Sequence, residues 1–212
     1  MSSHELRLSR RTLLGAAGLG AGTLILSGCG IAASRQPALL PSPTAAPTGR
    51  TRELMLEAAP AEVAIGGQKM MTWAYNGHVP GPEIRVMEGD ALRVTVRNRL
   101  PEDTSIHWHG LAVPNAMDGV PGVTQPPIKP GESFTYQFVV PAAGTYMYHP
   151  HVGLQLDRGL YGPLIVEPAN ETQRVDREYT LVFDDWLDAT PEDTLKPVSY
   201  THLRAHETGR NL

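Results

Sequence analysis

Between Ala91 and Asn98 the side chains alternate, Leu92, Val94 and Val96 set against Arg93, Thr95 and Arg97. Only an extended strand, whose successive side chains point to opposite sides, turns that pattern into one apolar and one wetted face. Phe134, Tyr136, Phe138 and Val140 repeat it against Ser133, Thr135 and Gln137. Strands begin at about residue 52, and the segments 160–167 and 179–183 read as two more. Turn material separates them, at residues 76–82 ahead of 83–87 and again at Glu88-Gly89-Asp90. Pro141-Ala142-Ala143-Gly144 is expected to reverse the chain, so that residues 145–149 return as the hairpin partner of the strand before them. No convincing helical period occurs beyond the N-terminal segment, and 21 Gly and 19 Pro are spread along the chain. The expected fold is all-β, a Greek-key sandwich or barrel.

Four of the eight histidines fall in two short stretches, Ile106-His107-Trp108-His109-Gly110 and Tyr148-His149-Pro150-His151-Val152. In a strand, His-x-His sends both imidazoles to one side while Ile106 and Trp108 take the other. Two such pairs side by side offer four neutral nitrogen donors, which suits copper or zinc. Structural zinc sites usually include cysteine, and catalytic ones more often use three protein ligands, so donor type leans to copper. His4 and His78 are isolated and read as structural or solvated. Residues 111–130 form a long Gly- and Pro-rich connection, expected to be a functional loop. Within it lies Asp118-Gly119, whose simplest reading is a turn aspartate hydrogen-bonded to its own backbone.

With 18 basic against 22 acidic side chains, a formal charge of −4 and no basic block, nucleic acid is not suggested. The single cysteine, Cys29, excludes an internal disulfide. Ser9-Arg10-Arg11-Thr12-Leu13-Leu14 opens a basic segment followed by an apolar run over residues 13–26, too short to span a bilayer comfortably. It resembles a twin-arginine export signal. Leu26-Ser27-Gly28-Cys29 resembles a lipoprotein lipobox, which makes Cys29 a lipidation site and not a metal ligand. The Pro/Ala-rich stretch that follows is a tether. The expectation is an exported protein anchored on the outer side of the cytoplasmic membrane or in the periplasm.

His107-Trp108-His109-Gly110, residues 148–155 continuing through 157–166, and Pro114-Asn115-Ala116-Met117-Asp118-Gly119-Val120-Pro121-Gly122 together resemble the N-terminal cupredoxin domain of a laccase-type multicopper oxidase, over about residues 53–190. The resemblance implies a cupredoxin-like fold and copper as cofactor. It also implies coupling of one-electron substrate oxidation, of phenols or of Cu(I), Fe(II) or Mn(II), to four-electron reduction of O2 to water. By position, His107 would bind the type 2 copper and His109, His149 and His151 the type 3 pair. Asp118 would relay protons. The other four cluster histidines and the type 1 copper would come from a C-terminal cupredoxin domain that this sequence lacks, so the chain alone is expected to be inactive.

The expected organisation is a signal over residues 1–29, a linker over 30–50 and a cupredoxin domain over 51–170. Residues 171–196 would start the connection to the missing domain, and 197–212, with His202 and His206, would be a foreign tail. A non-enzymatic, membrane-tethered copper-binding lipoprotein is the alternative. A copper nitrite reductase relative fits less well, because the cysteine expected beside a histidine of the second pair is replaced by Pro150.

Overall fold

The computed structural model describes residues 45–172, 175–187 and 189–196. The export-type segment, Cys29, the linker up to residue 44 and the segment 197–212 with His202 and His206 lie outside the described residues.

Among the described residues, eight strands make two four-stranded sheets. They are β1 (Thr51–Ile65), β2 (Gln68–Tyr75), β3 (Ile84–Met87), β4 (Ala91–Asn98), β5 (His107–His109), β6 (Ser133–Val139), β7 (Gly144–His149) and β8 (Gly162–Glu167). One sheet runs β2-β1-β4-β6 and the other β3-β8-β7-β5. β1 lies parallel to β4 and β3 parallel to β8, and every other pairing is antiparallel. The fold is the expected all-β, cupredoxin-like sandwich.

The alternation in β4 does what its period requires. Leu92, Val94 and Val96 are fully buried, while Arg93 stays exposed. They meet Trp108, Tyr148, Leu164 and Val166 of the other sheet in one apolar core. Trp108 is its hub, with ring centroids 5.6 Å from Tyr136 and 5.3 Å from Phe138, both edge-on. That geometry sets ring edges against ring faces and adds to the area the three side chains remove from water. The β1–β2 hairpin turns on Gly66 and Gly67, with φ of 59° and 82°. A two-residue turn with both central φ positive matches the strand twist and is open to Gly-Gly. That dipeptide, not the alternation around it, is the signal for the hairpin.

Two strand expectations are corrected. β7 is not the hairpin partner of β6, since β6 pairs with β4 and β7 with β5 and β8 in the opposite sheet. Alternation assigns each residue to a face but names no partner. Residues 141–143 instead carry the chain across the core, so that Tyr136 and Phe138 face Trp108 from the opposite sheet. Residues 179–183 form no strand. The segment joins neither sheet, and Tyr179, Leu181 and Phe183 are 73%, 73% and 90% exposed.

The end of the linker is already attached. The Ala45 amide donates to the Pro141 carbonyl at 3.0 Å and that of Thr48 to Gly89 at 2.9 Å. The Thr48 hydroxyl and Arg50 Nε both reach Asp90 Oδ1, at 2.5 and 3.0 Å. Burial opposes ionisation of Asp90, yet these two donors more than offset it and hold its carboxyl below the usual range. The root lies where β7 begins, whereas His149 is the last residue of that strand. At the usual strand rise the two are roughly 17 Å apart along β7.

Candidate metal centre

Register brings the histidine stretches together. β5 pairs antiparallel with β7 so that His107 faces His149, Trp108 faces Tyr148 and His109 faces Met147. Directly opposed residues share a face, so Trp108 and Tyr148, both fully buried, point into the core. His107, His109 and His149 point out of it. β7 stops at His149 because Pro150 has no N–H to extend the ladder. His151 therefore lies beyond the strand, and the strand-period explanation holds only for the first pair. His151 is placed instead by its amide, which donates to the Ser105 hydroxyl at 3.2 Å.

The four imidazoles cluster. The ring of His107 lies 5.8 Å from that of His109, 5.6 Å from His149 and 4.6 Å from His151. His149 sits 5.3 Å from His109 and 5.1 Å from His151. Burial grades across the group, with His149 only 8% exposed, His107 half-buried, and His109 and His151 open to solvent.

Hydrogen bonds fix which nitrogens are free. His107 Nδ1 is 2.8 Å from the backbone carbonyl of Asp118, and His149 Nδ1 is 3.0 Å from that of Pro150. A carbonyl only accepts, so each Nδ1 carries the proton and leaves Nε2 as a lone-pair donor. Burial pushes the His149 imidazole down to about 4; the Pro150 contact resists this and the neighbouring imidazoles add to it. His151 is also lowered, by burial first and then by His107, with Asp118 opposing. Nitrogens kept neutral near pH 7 are the form that binds a metal. His149 Nε2 lies 3.0 Å from His109 Nδ1, and with Nε2 unprotonated His109 donates in that contact.

Asp118 lies beside His107 as the loop placement predicts. Its carbonyl makes the closer contact; the nearest carboxylate oxygen is 3.3 Å from His107 Nδ1. The loop carrying it is ordered by its own short turns, with the amides of Met117, Asp118 and Thr124 donating to Pro114, Asn115 and Val120. Motif reading gives Ser105, Gln155 and Gly119 no role, although Gln155 and Gly119 lie within the stretches that resemble the family. Ser105 and Gln155 are buried polar residues, and Gln155 accepts from the Thr104 hydroxyl at 2.8 Å. His78 is exposed at the β2–β3 turn, away from the cluster.

Among the described residues no three His, Cys, Asp or Glu side chains converge on one metal position. The cluster is thus an open face of donors, not a closed cage. A groove of about 310 Å³ lies elsewhere, between Tyr146, Met147 and Tyr161 and the segment 180–184. It is lined mainly by apolar groups and lacks the imidazoles, so the chemistry belongs to the histidine face.

A multicopper oxidase family profile matches residues 57–171. The chain belongs to the multicopper oxidase family. It is 43% identical over 189 residues to the multicopper oxidase MmcO of Mycobacterium tuberculosis, covering 86% of this chain and 37% of that one. Copper resistance protein A of Pseudomonas syringae pv. tomato is 41% identical, over 91% of this chain and 31% of its own. Among solved structures, a multi-copper oxidase from Pseudomonas thermotolerans superposes with TM-score 0.55 at 47% identity, over 57% of this chain and 30% of that one. The chain therefore spans about a third of the length of these relatives. Multicopper oxidases hold copper in trinuclear and type 1 sites. The donor set fits copper, because four imidazoles lie on one open face, Nδ1 of His107 and His149 is taken by a backbone carbonyl so that Nε2 is the donor atom of each, and no thiolate is among them.

Proposed function

We propose that this chain supplies half of a trinuclear copper site in an exported multicopper oxidase. His107 would hold the type 2 copper and His109, His149 and His151 the type 3 pair, with the remaining ligands coming from a further cupredoxin domain. The observation that carries this reading is the β5–β7 register, which sets His107 opposite His149 on one face with Nδ1 of each tied to a carbonyl.

Copper bound there would supply the one-electron steps that carry O2 to water, drawing electrons from a small reducing substrate such as a phenol, Cu(I), Fe(II) or Mn(II). The protein's own part is to lower the proton affinity of His149 and His151, to fix the tautomer of His107 and His149, and to place an acid beside the site. Asp118 has the position for a proton relay, its carboxylate half-buried beside His107. Asp118→Asn should then slow O2 reduction in the full-length enzyme without changing its copper content. Equal turnover would remove Asp118 from that role.

Export and lipid anchoring at Cys29 complete the proposal. The rooted linker supports it, since residues 45–50 leave the domain at the pole away from the imidazoles. Mass spectrometry of the membrane-fraction protein should find a diacylglycerol adduct on Cys29, and an unmodified chain would discard the anchor.

The deciding experiment is copper stoichiometry together with O2 consumption on these 212 residues. Weak copper binding without oxidase turnover is expected, and substantial turnover would overturn the half-site. A non-enzymatic copper-binding lipoprotein remains the second reading, favoured by the exposure of His109 and His151. Tight, stoichiometric copper binding by the isolated chain would support it.

A further inference from the structure

Asp118 presents a backbone oxygen to His107 only because the next residue sits against the strand. Gly119 is buried with φ of 81°, and a methyl group on its α-carbon would overlap the carbonyl oxygen of Ile106, the residue that leads into the first histidine pair. The partner is backbone, which no side-chain rotation can move aside. Three residues on, in the same loop, Gly122 has nearly the same φ, 75°, and nothing within 4 Å of the same position. The two glycines share a left-handed backbone and differ in burial and in close approach.

From this contrast we infer that Gly119 is the positioning residue of the centre: by letting the loop lie flat on Ile106, it brings the Asp118 carbonyl within 2.8 Å of His107 Nδ1 and so selects the imidazole tautomer that leaves Nε2 for the metal. The role assigned to Asp118 is thereby divided. Its carbonyl makes the closer contact to His107 Nδ1, at 2.8 Å, and its carboxylate stands farther from the same nitrogen, at 3.3 Å. Met117 holds the other side of the same turn, packing on the core and accepting from the Gln137 amide through Sδ at 3.3 Å. The inference rests on the proposed metal role of His107 for its consequence, but the tautomer belongs to the metal-free chain.

The test is long-range ¹⁵N NMR of the imidazoles in the full chain at neutral pH, followed by titration with Cu(II) alone. Wild type should show His107 protonated at Nδ1. Gly119→Ala should lose that tautomer and weaken copper binding roughly 10–100-fold, the usual loss when the group orienting a ligand is removed. Gly122→Ala bears the same backbone strain without the overlap, and should keep both the tautomer and the affinity. Should Gly119→Ala fail to fold, Met117→Ala loosens the same turn without a clash and should give mixed tautomers at His107. An unaltered His107 in Gly119→Ala or in Met117→Ala, or equal losses in Gly119→Ala and Gly122→Ala, would overturn the inference. If the tautomers behave as stated but wild type binds no copper, the positioning role stands and the half-site reading falls.

Discussion

At the scale of single residues, the centre is governed by what surrounds each imidazole. His149 is the clearest case, because burial lowers it to about 4 while an unfolded histidine titrates near 6.5. Between these values the unfolded chain binds the extra proton and the folded chain does not. Stability is therefore full above about pH 6.5 and falls as the pH drops towards 4. Urea midpoints for wild type should decline across that window, and His149→Ala should flatten the decline; an equal slope in both would show that His149 is not the group responsible. On the core side, Trp108 is fully buried among Tyr136, Phe138 and Tyr148. Trp108→Ala should cost roughly 3–5 kcal/mol of unfolding free energy, measurable by denaturant titration.

At the scale of elements, the second histidine pair is a strand end and a loop, and Pro150 is the reason. The ladder cannot pass a residue without an N–H, so the direction of His151 depends on its amide bond to Ser105. Ser105→Ala should cost about 1 kcal/mol for a buried hydrogen bond whose donor remains. It should weaken copper binding through His151 while leaving the Nδ1 protonation of His149 as in wild type. Isothermal titration and imidazole NMR on the same sample would check both, and an unchanged copper affinity would show that the Ser105 bond is not what places His151. The β1–β2 hairpin makes a simpler prediction. Gly67 has φ of 82° with open space around it, so Gly67→Ala should cost roughly 1–2 kcal/mol from backbone strain alone. Thermal melts would show it as a lowered Tm with no change at the metal centre.

On the scale of the whole molecule the domain has two functional poles. Residues 45–50 are clipped to the β3–β4 turn and to Pro141, and the imidazoles lie at the far end of β7. Arg50→Ala removes the guanidinium that reaches both Asp90 and the Met87 sulfur. Hydrogen exchange at the Thr48 and Ala91 amides should quicken in that variant, with copper affinity unaltered; a change in affinity would mean that the poles are coupled.

The sequence by itself determined the class of fold and singled out the four histidines that the structure brings together. Period-two alternation over residues 91–98 and 133–140 reads as strand, and paired histidines in a domain without cysteine offer imidazole as the donor chemistry. It also placed Asp118 beside the site through the loop that resembles the family. What it could not carry was partnership. Alternation in β6 and β7 says which side chains turn inward and nothing about which backbone accepts their hydrogen bonds, so the two strands fall in opposite sheets. The apolar residues of 179–183 read as a strand, but the structure leaves them unpaired in either sheet and mostly exposed. Only the tertiary structure decided that His107 faces His149, that Ser105 turns His151, and that Gly119 brings a carbonyl to His107. Each of these is a contact between residues separated in the chain, set by register and close approach, and no local pattern encodes either.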